Sequence, residues 1–110
     1  MGFFSRLFAG GAPDPALAAA LAAGGTVVDV RSEAEFASGH AAGAINVPLD
    51  ALPHRLRELY RCGGPIVLCC RSGARSARAL QVLAQAGLPS VNGGSWRAVT
   101  RAQAAVAKTS

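Results

Sequence analysis

Short apolar runs alternate with amphipathic segments along most of the chain. Four runs have the length and apolar composition of buried strands, and they span residues 26–30, 44–47, 65–69 and 90–91. Five segments have the spacing or composition of helices, and they span residues 16–23, 32–39, 50–60, 76–86 and 96–107. This order predicts one α/β domain with a mostly parallel central sheet flanked by helices on both faces, because parallel neighbours need crossover connections.

Local signals mark the boundaries of these elements. Asp14 and Pro15 have the residue types of an N-cap and a first helical turn. Ser32 and Glu35 have the spacing of a capping box, and Gly39 is placed to end that second helix. In parallel sheets ligands gather at the carboxyl ends of the strands, so the residues that follow each strand are the first candidates for chemistry.

Composition and charge narrow the function classes. The chain has 110 residues, of which 51% are hydrophobic and only 5% aromatic, so one core built mainly from Ala, Leu and Val is expected. All six acidic residues lie in the first sixty positions, whereas residues 61–110 carry six Arg and one Lys. Nucleic-acid binding favours aromatic residues interleaved with the basic ones, a pattern that this half lacks. The positive field therefore predicts a small anionic partner and no nucleic acid.

The cysteines and the N-terminus bear on the compartment. Three scattered cysteines support neither a disulfide framework nor a four-ligand zinc site, so a reducing, cytoplasmic location is predicted. Residues 1–12 are interpreted as an N-terminal extension. Its apolar residues Phe3, Phe4, Leu7 and Phe8 fit a frayed or docking terminus better than a targeting signal. No membrane span is predicted, and no cofactor or metal is implied.

The segment from Cys70 to Ser76 is the strongest candidate for chemistry. It lies between a buried strand and a helix, where a thiol faces backbone N–H groups and the positive end of a helix dipole. Arg71 and Arg75 add two cations, and Gly73 allows the loop to curl into an anion-binding nest. These features lower the pKa of a cysteine thiol. A cysteine that only ends an apolar strand would not require them, so we interpret Cys70 as an activated nucleophile.

Three stretches of the sequence resemble the single-domain rhodanese-like sulfurtransferases. The first comprises Asp29-Val30-Arg31, Glu35-Phe36 and Gly39-His40-Ala41-Ala42-Gly43-Ala44-Ile45-Asn46-Val47-Pro48. The second is Ile66-Val67-Leu68 followed by Cys70-Arg71-Ser72-Gly73-Ala74-Arg75-Ser76, and the third is Gly93-Gly94. The resemblance implies a rhodanese-like domain over residues 13–110.

The same resemblance implies a two-step reaction. Cys70 takes the sulfane sulfur of thiosulfate, or of a related persulfide donor, and passes it from a persulfide to cyanide, a small thiol or a protein thiol. The residues implied to bind the substrate are Arg71, Ser72, Gly73, Ala74, Arg75 and Ser76. Arg71 is favoured for the substrate's sulfonate end because it adjoins the nucleophile, and Arg75 is interpreted as either a substrate contact or a brace for the loop. Asp29 and Arg31 are expected to support the site through bonds to nearby backbone, with Glu35 as the partner of Arg31.

Two alternatives remain at this point. Counting from Cys69, Arg75 and Ser76 fall where cysteine-dependent phosphatases place the end of their phosphate loop, with Asp29 or Asp50 as candidate general acid. The second alternative is a rhodanese-like module that only binds a partner. The other singled-out residues have structural or surface interpretations: His40 as a hydrogen-bonded residue, His54 as a solvated one, Cys62 as a loop thiol and Trp96 as a packing residue.

Overall fold

The computed structural model describes residues 12–109 and shows a four-stranded, all-parallel sheet between two layers of helices. The strands are β1 (Thr26–Asp29), β2 (Ile45–Asn46), β3 (Ile66–Cys70) and β4 (Ser90–Ser95), in the spatial order β2-β1-β3-β4. The α-helices are α1 (Pro15–Ala22), α2 (Glu33–Ala37), α3 (Leu56–Tyr60), α4 (Ala74–Gln85) and α5 (Trp96–Thr109). A 3-10 helix, Leu49–His54, precedes α3. The predicted fold class is confirmed.

The sheet divides the core into two clusters because successive side chains of a strand point to opposite faces. Helices α1 and α5 cover one face, where Val67 and Cys69 of β3 are buried against Leu17 and Val99. Helix α4 and the 3-10 helix cover the other face, which receives Leu68 and Cys70. Alternation along β3 thus places its two adjacent cysteines on opposite sides of the sheet.

Several predicted elements change length in the structure. The segment predicted as one helix over residues 50–60 is a 3-10 helix followed by α3, because Pro53 lacks the N–H that a continuous α-helix needs. Strand β4 runs to Ser95 instead of stopping at residue 91, and α4 begins at Ala74. Strand β3 includes Cys70, which pairs with Ser95 beyond an irregularity in the register.

The predicted helix starts of α1 and α2 are present. The Asp14 carboxylate accepts a hydrogen bond from the Leu17 N–H, and Ser32 and Glu35 form the reciprocal capping box. The predicted N-terminal extension covers residues 1–12, of which residues 1–11 lie outside the described residues. Between residues 12 and 109, no helix is long and apolar enough to cross a bilayer.

Candidate active site

The Cys70 sulfur lies at the carboxyl end of β3, inside the turn that leads into α4. Its Sγ accepts hydrogen bonds from the N–H of Gly73 at 3.0 Å and of Ser76 at 3.4 Å. Gly73 has a φ of +105°, a conformation that residues with a Cβ rarely adopt, and this lets the chain fold back over the sulfur. The loop therefore directs amides at Cys70 as the sequence predicts, although the side chain is only 1% exposed.

The hydrogen bonds around the sulfur favour its charged form. Burial raises the pKa of Cys70, whereas hydrogen bonds from the Ser76 hydroxyl and from the N–H groups of Ser76, Gly73 and Ser72 lower it. The net result is a pKa below the ordinary value of 9.0. A lowered pKa raises the thiolate fraction near neutral pH, and the thiolate is the nucleophilic form of cysteine.

Cys69 does not share this environment. Its side chain is fully buried on the other face of the sheet, in the cluster that contains Leu17 and Val99. Burial, reinforced by the nearby charge of Asp29, raises the pKa of Cys69 to about 12. The thiol thus stays protonated and faces away from the loop, so the phosphatase alternative, which needs Cys69 as its nucleophile, loses the geometry it requires.

Arg75 is joined to α2 by a two-point ion pair. Its Nη1 and Nη2 donate to Glu35 Oε1 and Oε2 at 2.7 and 2.9 Å. Glu35 is also a partner of Arg31, as expected, but through its backbone, because Arg31 Nη1 donates to the Glu35 carbonyl at 3.2 Å while the Glu35 carboxylate pairs with Arg75. The guanidinium of Arg75 holds α2 against the start of α4, which corresponds to the bracing interpretation of this residue.

The Glu35–Arg75 pair predicts a specific dependence of stability on pH. The Arg75 guanidinium, with the capping bonds of Ser32, lowers the pKa of Glu35 from 4.5 to about 2 in the folded protein. The stabilisation is therefore present above pH 4.5 and is lost as the pH falls towards 2. Thermal unfolding should show a lower Tm for Glu35→Gln than for the natural protein above pH 4.5, and this difference should vanish near pH 2. Arg75→Met should behave alike, and a pH-independent difference would contradict the assignment.

A buried ion pair closes the end of β1. Asp29 is fully buried and Arg31 is 4% exposed, and Arg31 Nε and Nη2 donate to the Asp29 carboxylate at 2.9 and 2.7 Å. Arg31 Nη2 also donates to the Gly39 carbonyl at 2.7 Å. The hydrogen bonds to Asp29 raise the pKa of Arg31. The backbone that Arg31 supports is thus the segment around α2, not the Cys70 loop. That segment is connected to the loop by the ion pair between Glu35 and Arg75.

Cationic and aromatic side chains lie at the same edge of the sheet. The Trp96 ring, which directly follows β4, has the Arg31 guanidinium 5.1 Å and the Arg97 guanidinium 4.6 Å from its centroid. Arg71 and Ser72 are exposed residues of the loop. Trp96 is therefore more than a packing residue, since its ring contacts the Arg31 guanidinium and so connects Arg31 to the start of α5.

The other singled-out residues lie outside this arrangement. His40 stacks on the Phe36 ring, and its Nδ1 is 2.7 Å from the Phe36 carbonyl, consistent with a structural role. His54 is exposed on the 3-10 helix. Cys62 precedes the amino end of β3, whereas Cys70 is at the carboxyl end, and its Sγ contacts the Glu58 carbonyl. Cys62 is thus separated from Cys70 by the length of a strand.

Asn92 is a site residue that the sequence analysis missed. It lies in β4, beyond the two residues predicted as a strand there, and its Oδ1 accepts a hydrogen bond from the Ser76 hydroxyl at 2.7 Å. The position of Asn92 immediately before Gly93-Gly94 was the available signal. A polar residue at that position does not reveal a contact with a residue sixteen positions away, because the contact depends on the pairing of β3 with β4.

Comparisons with known proteins identify the family and the fold that the chain is similar to. The family model described as "Rhodanese-like domain" matches residues 14–102. A protein of Allochromatium vinosum named "Sulfurtransferase" is 39% identical over 61 residues, which cover 56% of each chain. "Thiosulfate sulfurtransferase 16, chloroplastic" of Arabidopsis thaliana is 38% identical over 82 residues, covering 64% of this chain and 68% of the relative.

A solved structure supports the same fold. The crystal structure of a rhodanese-like domain protein from Staphylococcus aureus superposes with a TM-score of 0.62 and 28% identity, covering 69% of this chain and 74% of the other. The chain spans about half the length of some of the curated relatives that it matches. The match to the family model, in contrast, includes the whole sheet and the loop after β3.

Proposed function

The chain belongs to the rhodanese-like domain family, and from this premise we propose that it is a sulfurtransferase that carries sulfur as a persulfide on Cys70. The observation that carries the proposal is the pair of N–H groups, from Gly73 and Ser76, directed at the Cys70 sulfur. Such donors stabilise a thiolate, and they suit the terminal sulfur of a persulfide, which is also anionic.

The first step transfers sulfur from the donor to the protein. The Cys70 thiolate attacks the outer sulfur of thiosulfate, a new S–S bond forms, and the S–S bond of thiosulfate breaks. The electron pair of the broken bond leaves with sulfite. Cys70 then carries a persulfide, and no external oxidant is needed because the transferred sulfur arrives already at the required oxidation level.

The second step regenerates the thiolate. A nucleophilic acceptor, either cyanide or a thiolate, attacks the outer sulfur of the persulfide. The S–S bond to Cys70 breaks, and its electron pair returns to the Cys70 sulfur, which the amides of the loop stabilise again. Thiocyanate is the product with cyanide, and an acceptor persulfide is the product with a thiol.

The surrounding residues divide into substrate contacts and supports in this proposal. Arg71 is exposed beside the nucleophile and is assigned to the sulfonate end of thiosulfate. The turn from Ser72 to Ser76 supplies the amides. Arg75 is assigned to bracing because both of its terminal nitrogens are bonded to Glu35. Asp29 and Arg31 hold the neighbouring backbone in place.

The choice of thiosulfate rests on chemistry and on one relative. A small dianion matches the excess of Arg in the second half of the chain, and a relative that is 38% identical is named a thiosulfate sulfurtransferase. A small thiol, a protein thiol or cyanide serves as acceptor in the proposal, with no nucleic acid involved. Because thiolates persist under reducing conditions, the cytoplasm is the proposed compartment.

Mass spectrometry tests the proposal directly. After incubation with thiosulfate and removal of the excess, the intact protein should gain about 32 Da, one sulfur atom, and cyanide should remove the gain. The Cys69→Ala variant should retain the added mass, and Cys70→Ser should not acquire it. An unchanged mass in the natural protein would refute the proposal and favour a module that only binds a partner.

A further inference from the structure

The Ser76 hydroxyl lies between the Cys70 sulfur and the side chain of Asn92. Its Oγ is 3.5 Å from Cys70 Sγ and 2.7 Å from Asn92 Oδ1, and it is also 3.1 Å from the Gly73 carbonyl. A hydroxyl has a single proton to donate. The sulfur, when charged, therefore competes with two oxygens for that proton.

Two further hydrogen bonds define which end of the Asn92 amide faces Ser76. Asn92 Oδ1 accepts from the Gly94 N–H at 2.9 Å, so this atom is the oxygen. Asn92 Nδ2 donates to the Gly73 carbonyl at 3.3 Å. Because Oδ1 can only accept, the 2.7 Å contact requires Ser76 to donate its proton to Asn92. A bond of that length is much stronger than a contact to sulfur at 3.5 Å.

We propose that Asn92 is a positioning residue of the Cys70 site: it draws the Ser76 hydroxyl proton away from the sulfur and so limits the stabilisation of the thiolate that this hydroxyl adds to that of the backbone amides. While the Ser76 hydroxyl donates its proton to Asn92 in a hydrogen bond, its oxygen presents a lone pair to Cys70 and can accept a hydrogen bond from the thiol. The Ser76 hydroxyl lowers the pKa of Cys70 to the extent that it donates to the sulfur, and the competing bond to Asn92 limits this effect.

The arrangement affects how strongly the sulfur reacts, a consequence that rests on the proposed function. The nucleophilicity of a thiolate falls as the pKa of its thiol falls. A sulfur that received the full hydrogen bond of the hydroxyl in addition to the amides would be ionised at lower pH but would attack a sulfur donor more slowly. Asn92 thus preserves nucleophilicity in a thiolate that the amides of Gly73 and Ser76 already stabilise.

Other titratable groups lie on the elements packed around the sulfur, and they are not altered by changes at Asn92. They belong to the strands, helices and loop packed against Cys70, and they are Asp29, Arg31, Glu35, Asp50, Cys69, Arg71, Arg75 and Arg78. Substitution of Asn92 by an uncharged residue leaves all of these groups in place. A change in the pKa of Cys70 in such a variant would therefore report on hydrogen bonding.

The test is the pH profile of Cys70 alkylation by iodoacetamide, measured in a Cys62→Ser background because Cys62 is exposed. In Asn92→Ala, the pKa of Cys70 should fall by about 0.5 to 1 unit, because the Ser76 hydroxyl loses the nearer of its two oxygen acceptors and donates more often to the sulfur. The limiting rate constant at high pH should fall roughly two- to three-fold, following the lower basicity of the thiolate. Asn92→Asp keeps the oxygen acceptor, adds a negative charge near the sulfur and should raise the pKa.

A double-mutant cycle separates this mechanism from a general effect on the fold. In a Ser76→Ala background, Asn92→Ala should leave the pKa of Cys70 unchanged, because the proton in question is absent. Gln103→Ala removes another side-chain amide, which donates to the Ala42 carbonyl, and should not move the pKa. An unchanged or raised pKa in Asn92→Ala, or an effect that persists without the Ser76 hydroxyl, would overturn the proposal. Alkylation requires no sulfur donor, so these outcomes are independent of whether thiosulfate reacts.

Discussion

Replacement of Cys70 by serine is expected to reduce sulfur transfer from thiosulfate to cyanide by roughly a thousand-fold or more, the scale seen when a catalytic nucleophile is removed. Serine can accept the amides of Gly73 and Ser76 as cysteine does, but its oxygen does not ionise near neutral pH and cannot carry a persulfide. The rate of thiocyanate formation measures the effect.

The adjacent cysteine supplies the matched control. Cys69→Ala removes a thiol of the same strand whose side chain is buried on the opposite face of the sheet. It should retain most of the activity, with a modest loss of stability from the small cavity left in that cluster. Loss of activity in Cys69→Ala together with full activity in Cys70→Ser would reverse the assignment of the nucleophile.

Replacement of Arg31 by methionine is expected to lower the free energy of unfolding by about 3 to 5 kcal/mol, because it leaves a charged partner buried and unpaired. That partner is Asp29, which is fully buried and accepts from the Arg31 backbone and side chain. The substitution also removes the bond to the Gly39 carbonyl and the contact with the Trp96 ring. Chemical denaturation with a fluorescence or circular-dichroism readout measures the change.

Two further variants test the physical reason for this loss. Arg55→Met breaks an ion pair with Glu58 in which the side chains are 38% and 49% exposed. Exposed pairs contribute little, so this variant should lose less than about 1 kcal/mol. In Asp29→Asn/Arg31→Met the buried charge is absent, and part of the stability lost in Arg31→Met should return. Equal losses in Arg31→Met and Arg55→Met would show that burial of the pair is not what matters.

The elements most strongly marked in the sequence appear in the structure. The N-cap at Asp14 and the capping box of Ser32 and Glu35 form because they depend only on residues within one helical turn. The curl of the loop at Gly73 is also local, since glycine adopts its positive φ without strain. The helix predicted over residues 50–60 is interrupted in the structure, where Pro53 lies in a 3-10 helix. The prediction followed the apolar spacing of this segment and gave Pro53 too little weight.

Contacts between segments that are distant in the chain could not be predicted from local sequence patterns. The carboxylate of Glu35 has Arg31 four positions away in sequence, yet it pairs with Arg75, forty positions away. The choice follows from Arg31 being committed to the buried Asp29 and to carbonyls of the α2 segment. Burial decides which carboxylate each arginine pairs with, and the burial of a side chain cannot be derived from spacing along the chain.

The amino-acid sequence by itself determined the alternation of strands and helices, the glycine-containing turn after the apolar run of β3, and the resemblance that carries the family assignment. Only the tertiary structure decided that Cys69 and Cys70 lie on opposite faces of the sheet, and that Asn92 accepts the hydrogen bond of the Ser76 hydroxyl. The physical reason is that both outcomes depend on how the sheet faces its helices and on the pairing of β3 with β4, which are set by packing across the whole domain.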